Sequence, residues 1–283
     1  MTQDRKSGTP KDSHYAKLRR THRDQKAGGP PPRRKAPVEP QETPGDGLVR
    51  LYGLHTVRAA IDNPARTVRR LVVTRNAAER LELGDIAALP FPVEMAEPRD
   101  IDRLAGGDAV HQGVVADVVP LRPKPLSALG ETPLVLVLDQ VTDPHNVGAI
   151  LRSAVAFGAG ALLTTQRHSP SESGVLAKAA SGALEHIDLI TVRNLADALG
   201  ELHAAGFTSI GLDSEGPAPM EDTLSENRIA LVLGAEGKGL RQKTRATVTH
   251  LARLDMPGAI RSLNVSNAAA IALYAARRHL DRA

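Results

Sequence analysis

The sequence predicts an α/β protein whose second half contains a mostly parallel sheet. Strand-like and helix-like segments alternate from residue 48 onward, and such alternation is typical of βαβ units. The run LVLVLD at 134–139 is aliphatic throughout, as expected of a strand that is buried on both faces. Glycine and polar residues also cluster just after predicted strands, which is where open α/β sheets bind ligands.

The first predicted unit spans residues 48–119 and resembles a small α/β domain. Periodicity and turn residues predict its elements in chain order: strand 48–53, helix 55–62, strand 69–74, helix 77–89, strand 91–95, helix 98–105 and strand 112–119. The following segment, 120–133, contains four prolines and is expected to be a linker.

The second predicted unit spans residues 134–283 and carries the longer alternation. Its predicted elements are strand 134–139, helix 146–157, strand 160–165, helix 174–181, strand 186–191, helix 194–204, strand 207–212, strand 228–234, strand 250–254 and helix 265–280. Because the strands alternate with helices, we expect most of them to be parallel.

The first 47 residues differ in composition from the rest of the chain. They contain seven prolines, and their eleven Lys/Arg against six Asp/Glu give +5, whereas the other 236 residues sum to −1. This composition predicts a disordered basic tail. Such a tail is typical of nucleic-acid binders, although a merely solubilising extension is the alternative.

Composition excludes several functional classes. The chain has no cysteine, which excludes disulfides, cysteine-ligated zinc and a thiol nucleophile, and which suits a reducing cytoplasm. No apolar run reaches the roughly 18–20 residues that a membrane helix needs, and the first thirty residues contain no apolar signal-peptide core. The ten histidines are scattered, so we expect no metal site.

Three segments concentrate the candidate functional residues: DPHNVGAILRSAVAFG (143–158), LVLGAEGKGL (231–240) and MPGAIRSLNVSNAAAIALY (256–274). In the first, Arg152 interrupts an apolar helix and by itself reads as a surface residue. In the second, Glu236 lies among glycines, which permit close approach of backbone to a ligand. The third places more Ser and Asn side chains before the final helix than an N-cap requires.

Together these three ordered segments resemble the motifs of the SpoU (TrmH-type) RNA ribose 2′-O-methyltransferases of the SPOUT class, over residues 134–280. The preceding unit, through YGLHTVRAAI (52–61) and HQGVVADV (111–118), is similar to the RNA-binding domain of the family's ribosomal-RNA members, which resembles ribosomal protein L30e. The resemblance implies a C-terminal trefoil knot, S-adenosylmethionine as cofactor, and a homodimer whose active sites use both protomers.

The resemblance also implies roles for particular positions. The residues expected to hold the cofactor are Gly234, Leu254, Met256 and Leu263. The residues expected to line the catalytic pocket are Asn146, Arg152, Glu236, Ser262 and Asn264. A side chain at Gly234 is expected to collide with the ligand, and a polar residue after Asn264 is expected to cap the final helix.

The implied reaction moves a methyl group from S-adenosylmethionine to a ribose 2′-hydroxyl of RNA in the cytoplasm, with a guanosine of 23S rRNA favoured and tRNA second. Arg152 is then either the base or an electrostatic clamp, and the clamp is favoured because a guanidinium stays protonated at neutral pH. A base C5-methyltransferase usually requires a cysteine nucleophile, and this chain has no cysteine. Methylation of a base nitrogen and a non-catalytic RNA-binding ribosome-assembly factor remain as alternatives.

Overall fold

The computed structural model describes residues 44, 45, 47–167 and 169–282. These belong to one compact body, Pro40–Ala283, and the segment Met1–Glu39 lies outside the described residues. The predicted tail, 1–47, is therefore outside the description except at residues 44, 45 and 47. Within the described ranges, no helix is long and apolar enough to cross a membrane.

A small module, residues 49–118, is built around a four-stranded sheet. Its elements are β1 (Val49–Tyr52), α1 (Leu54–Asp62), β2 (Val68–Val73), α2 (Arg75–Arg80), β3 (Val93–Met95), α3 (Pro98–Ala105) and β4 (Val114–Val118). The strand order is β1-β4-β2-β3, and β2 and β3 form the one parallel pair in this described sheet. The alternation predicted for 48–119 is thus present.

One helix prediction in this module is wrong. The segment 77–89 was expected to be a single helix, but α2 ends at Arg80 and a separate 3-10 turn forms at Ile86–Ala88. The backbone between them enters the left-handed region at Glu82 (φ 50°) and Gly84 (φ 64°). A right-handed helix cannot continue through such residues, so the apolar periodicity is carried by two short pieces.

A large module, residues 134–280, contains a seven-stranded sheet. Its elements are β5 (Leu134–Asp139), α4 (Pro144–Ala156), β6 (Ala161–Thr165), α5 (Gly174–Ala180), β7 (Asp188–Val192), α6 (Leu195–Ala204), β8 (Thr208–Leu212), β9 (Ala218–Pro219), β10 (Ile229–Gly234), α7 (Gln242–Thr247), β11 (His250–Arg253) and α8 (Val265–Leu280). The order is β7-β6-β5-β10-β8-β11-β9, and every pairing in this described sheet is parallel. The prediction of a mostly parallel sheet is confirmed; β9 and α7 were not predicted.

The inner strand β5 shows how the large sheet is covered on both faces. Leu134, Leu136 and Leu138 pack into one apolar cluster, whereas the alternate Val135 and Val137 pack into another. Helices α4 and α8 contribute to the first cluster and α6 to the second. Successive strand side chains point to opposite faces, so an uninterrupted aliphatic strand requires helices on both.

The two helices that border the candidate site begin at polar caps. Asp143 caps α4 by accepting a hydrogen bond from His145 N at 3.1 Å, and Pro144 occupies the first turn, where its missing N–H costs nothing. Asn264 caps α8 by accepting from Ser266 N at 2.8 Å. The expectation that a later residue caps α8 is wrong, because Asn264 is the non-helical residue directly before the first helical one and its own side chain makes the cap.

Parallel pairing brings the polar loops to one edge of the sheet. Gly234, the last residue of β10, is in register with Asp139, the last residue of β5. The loops that follow β5, β10 and β11 therefore leave the sheet at its carboxyl edge, where α/β proteins bind their ligands.

Candidate active site

The carboxylate of Glu236 joins the three loops at the carboxyl edge. Glu236 Oε1 accepts hydrogen bonds from Asn146 Nδ2 at 3.3 Å and from Val265 N at 3.2 Å. Asn264 Nδ2 donates to Asn146 Oδ1 at 3.0 Å. Three residues predicted from separate motifs thus form one connected network.

The position of Glu236 is electrostatically favourable. Val265 is the first residue of the 16-residue helix α8, so the carboxylate lies at the positive end of the helix dipole and accepts one of the free N–H groups there. Glu236 is nevertheless exposed, as are Asn264 and Ser262, so the network faces solvent and is accessible to a substrate.

An apolar cavity of about 270 Å³ lies on one side of this network. It contains all four residues predicted to hold a cofactor, together with Ser262 and Glu236. Its main lining residues are Leu212, Asp213, Leu233, Gly234, Leu254, Met256, Ser262, Leu263 and Val265. Aliphatic side chains with a few polar groups are typical of sites that bind an organic cofactor.

A second cavity, of about 380 Å³, shares Ala235, Glu236 and Val265 with the first. Its other lining residues are mostly polar: Gln140, Val141, Thr142, Asp143, Asn146 and Lys238. Glu236 therefore stands between an apolar cavity and a polar one. Gln140 has φ 62°, a left-handed conformation that is uncommon for a residue other than glycine and that often marks a functional site.

Gly234 is packed against the backbone of its own loop. A Cβ built at this position would overlap the carbonyl group of Gly239 and the nitrogen of Leu240, that is, the protein's own backbone. The loop folds back here because Gly239 N donates to Ala235 O at 2.9 Å and Gly237 and Gly239 adopt φ of 73° and 63°. Gly234 permits closure of this loop, which in turn shapes the apolar cavity.

Asp139 anchors the far end of the same loop, and the sequence analysis missed it. Its side chain is fully buried and accepts from Arg241 N at 3.0 Å and from Arg241 Nε at 2.6 Å. The sequence feature that could have identified Asp139 is a carboxylate at the end of an otherwise aliphatic strand. Such a residue needs a buried partner, and the partner was 102 residues away.

Asp213 was also missed. It follows β8 at the carboxyl edge, lines the apolar cavity, forms an ion pair with Arg245 and accepts from Glu215 N at 2.9 Å. The ion pair and the turn fix this carboxylate at the wall of the cavity, where it can accept hydrogen bonds from a hydroxyl or ammonium group of a ligand.

Arg152 does not join the network. It is exposed on α4 and, in the described part of the single chain, lines neither of the two cavities. Six residues along a helix place it about 9 Å from Asn146 in the axial direction and about 120° around the axis. Of the residues predicted for the catalytic pocket, Asn146, Glu236, Ser262 and Asn264 are brought together and Arg152 is not.

Metal ligands are not clustered in the part of the chain that the structure describes. Among the described residues, no group of three or more His, Asp or Glu side chains is placed to hold a metal ion. The functional groups at and beside the network are one carboxylate, two amides, a serine hydroxyl and the N-terminus of α8. These groups orient and stabilise a polar reactant.

The sequence matches two family profiles. The SpoU rRNA Methylase family profile matches residues 133–274, and a profile described as RNA 2'-O ribose methyltransferase substrate binding matches residues 50–124. The first covers the large module and its site, and the second covers the small module.

Curated relatives align over most of the chain. The 23S rRNA (guanosine-2'-O-)-methyltransferase RlmB of Pseudomonas putida is 39% identical over 241 residues, which cover 82% of this chain and 96% of that protein. The protein of the same name from Vibrio cholerae is 36% identical over 237 residues, covering 81% and 96%.

Solved structures share the architecture. The AdoMet-bound rRNA methyltransferase from Sinorhizobium meliloti is 25% identical, with a TM-score of 0.69 and coverage of 83% of this chain and 88% of that one. The SpoU methyltransferase AviRb from Streptomyces viridochromogenes, in complex with AdoMet, has the same fold at 24% identity, with a TM-score of 0.68 and coverage of 82% and 90%. With the profile matches and the curated relatives, these findings show that the chain belongs to the SpoU rRNA methylase family.

Proposed function

We propose that this protein transfers a methyl group from S-adenosylmethionine to the ribose 2′-hydroxyl of a guanosine in 23S rRNA. As a member of its family it is an S-adenosylmethionine-dependent RNA 2′-O-methyltransferase. The choice of guanosine and of 23S rRNA is supported by relatives that align over 96% of their own length and carry that activity in their names. The observation that carries the proposal is the position of Glu236 between an apolar and a polar cavity.

The apolar cavity suits the cofactor. When bound, S-adenosylmethionine supplies a methyl group activated by a sulfonium. Leu254, Met256 and Leu263 would contact its apolar parts, and the loop that closes over Gly234 offers backbone N–H and C=O groups. Asp213 would accept from a hydroxyl or the ammonium group.

The polar cavity suits the target nucleotide. Asn146, which lines this cavity, and Asn264, which is hydrogen-bonded to Asn146, would hold the 2′-hydroxyl in line for attack. Ser262, which lines the apolar cavity beside Glu236, would add a hydroxyl partner from that side. Arg152 would act as an electrostatic clamp on the neighbouring phosphate and on the developing alkoxide, because a guanidinium stays protonated at neutral pH.

A homodimer is part of the proposal. Since Arg152 lines neither cavity of its own chain, its role requires a second protomer that brings it to the partner's cavities. Helix α8 offers a contact surface: Ile271 is 45% and Tyr274 54% exposed, and the Tyr274 ring packs edge-on against Phe157. Large apolar side chains with this exposure on one helix face are typical of protein interfaces.

Family membership also supports the finer assignments made from sequence. These are a trefoil knot in the C-terminal segment, a small domain like ribosomal protein L30e at 48–119 that binds RNA, the linker 120–133, the methyltransferase domain 134–283, and work in the cytoplasm. The match of residues 50–124 to a substrate-binding profile favours the RNA-binding role of the small module.

Mapping 2′-O-methyl groups tests the proposed function. A strain that lacks this protein should lose one 2′-O-methylguanosine from its 23S rRNA, and a plasmid copy should restore it. A Glu236→Ala copy, expressed at the same level, should not. Loss of a tRNA methyl group, with 23S rRNA unchanged, would overturn the assignment in favour of tRNA.

A further inference from the structure

The side chain of a buried arginine of the small module is held mainly by two glutamates of the large module. Arg66 lies between α1 and β2, and its side chain has no exposed area. Its Nη2 donates to Glu185 Oε1 at 2.6 Å and its Nη1 to Glu172 Oε1 at 2.7 Å. Nη1 also donates to the carbonyl of Val119 at 3.0 Å, and Nε contacts both oxygens of Glu185 at 3.1 and 3.2 Å.

Both carboxylates receive further hydrogen bonds. Glu185 Oε2 accepts from Asn63 Nδ2 at 2.7 Å, and Glu172 Oε2 accepts from Leu121 N at 2.8 Å. Each of the four carboxylate oxygens therefore has a donor. The donors come from the small module and the linker, whereas both glutamates belong to the large module, so the cluster joins the two modules.

Helix α5 provides a second, steric connection between the modules. A Cβ at Gly174 would overlap the carbonyl of Arg50 in β1, and a Cβ at Gly148 in α4 would overlap α5 at the carbonyl of Leu176. Thr56 of α1 also donates to Ala177 O at 3.3 Å. Helix α5 thus touches the small module on one side and α4, the helix that carries Asn146, on the other.

The ionic cluster is an unusual way to hold two modules together. One arginine and two glutamates carry a net charge of −1, and burial raises the pKa of Glu172 despite the neighbouring Arg66. Buried ion clusters are often no more stabilising than apolar contacts of equal size. Ion clusters differ from apolar contacts in their geometry. A guanidinium bound to two carboxylates favours one orientation of the two modules relative to each other and penalises other orientations.

We propose that the Arg66–Glu172–Glu185 cluster fixes the orientation of the small module relative to the active-site edge. This orientation makes the enzyme select RNAs that contact the small module and the active site at the same time. The three residues are positioning residues that act through the small module and touch no substrate. The inference rests on the proposed function, since the small module must bind the RNA that is methylated.

The orientation can be measured without activity. Because the chain has no cysteine, spin labels can be placed at exposed Glu79 of α2 and exposed Glu201 of α6 through cysteine substitutions in the full-length protein. The parent should give a narrow distribution of label distances and Arg66→Met a broad one. Arg58→Met is the matched control, because the described hydrogen bonds of the Arg58 side chain go to Asp62 and Leu81 O, both within the small module. An equally narrow distribution in Arg66→Met overturns the inference.

A pair of RNAs tests the consequence for selection. One is a short hairpin that contains the methylated nucleotide without the rest of the rRNA. The other is a long 23S rRNA fragment that contains the same nucleotide. The parent should favour the long RNA in kcat/KM, and Arg66→Met should lose about tenfold or more on the long RNA while its rate on the hairpin stays unchanged. A structural defect alone would lower both rates. If Arg66→Met does not fold, Glu185→Gln, which keeps the shape and removes one charge, takes its place.

The outcomes separate the inference from the proposed function. A parent that methylates neither RNA contradicts the proposed function. A parent that is active but shows no preference for the long RNA, or a variant that keeps the preference, contradicts the inference and leaves the function standing.

Discussion

Asn146 Nδ2 donates to Glu236 Oε1 at 3.3 Å although 90 residues separate the two in sequence. The contact exists because β5 and β10 are parallel neighbours that end in register at Asp139 and Gly234. The loops that follow these strands are thereby placed side by side. The catalytic proposal depends on this juxtaposition.

Glu236→Ala should lower kcat by about 100- to 1,000-fold while S-adenosylmethionine still binds. The substitution removes the acceptor that orients Asn146 and leaves Val265 N at the start of α8 without its partner. Calorimetry with the cofactor and a tritiated-methyl assay on 23S rRNA measure the two steps separately. Glu201→Ala, on the exposed face of α6, is the control and should retain full activity.

Arg152→Ala should bind the cofactor normally and lose methyl transfer. Mixing this variant with Glu236→Ala identifies which protomer's active site Arg152 serves. Each of the Arg152→Ala and Glu236→Ala proteins is expected to be inactive alone. If Arg152 serves the partner's site, an equal mixture forms heterodimers with one intact site each, and about a quarter of the parent activity returns. No recovery after subunit exchange would place Arg152 in its own protomer's site or outside catalysis.

Gly234→Ala should reduce both cofactor binding and methyl transfer, because the added methyl overlaps the carbonyl of Gly239 and displaces the loop that shapes the apolar cavity. Gly200→Ala is the matched control: it lies in α6 and a Cβ there meets no atom within 4 Å. The control should raise the free energy of unfolding by about 0.5–1 kcal/mol. Normal cofactor binding by Gly234→Ala would contradict the loop-closure role.

Asp117→Asn should reveal a carboxylate that stabilises the small module at neutral pH. Burial acts to raise the pKa of Asp117, but the hydrogen bonds and charges of Arg50 and Arg70 outweigh it and hold the pKa below its usual value. Because the folded-state pKa is lowered, the stabilisation is present above the unfolded pKa, about 4, and is lost as the pH falls.

The loss of unfolding free energy in Asp117→Asn should therefore be about 3 kcal/mol at pH 7, change little down to pH 4, and shrink as the pH falls below 4. Urea unfolding of parent and variant from pH 7 to below pH 4 measures it. A difference that stays constant with pH would show that packing, rather than charge, is responsible.

Patterns within one segment predicted most of the fold. The aliphatic run of β5 predicted a strand buried on both faces of a parallel sheet, and the polar residues after β5 and β10 predicted which loops form the site. The failures involve information outside the local pattern. One of the left-handed residues after α2 is Glu82, and a glutamate does not predict a left-handed conformation. Asn264 caps α8 and also donates to Asn146, so one residue has both the structural and the site role that were expected of different residues.

The candidate site shows the same limit. The Asp139–Arg241 pair joins positions 102 residues apart, and neither residue belongs to a recognisable motif with the other. Arg152 was grouped with Asn146 because they share one motif. Residues six apart on a helix point in different directions, so proximity in sequence did not give proximity at the cavity.

The glycine contacts of α5 have a consequence for how this enzyme can change over evolutionary time. Where backbone meets backbone, at Gly174 and Gly148, no side chain exists that a substitution could shorten or lengthen to adjust the spacing gradually. The distance from the small module to the catalytic helix is therefore resistant to drift. A descendant that acquired a new RNA target would have to do so by remodelling the outer surface of the small module, while the geometry behind that surface stayed constant.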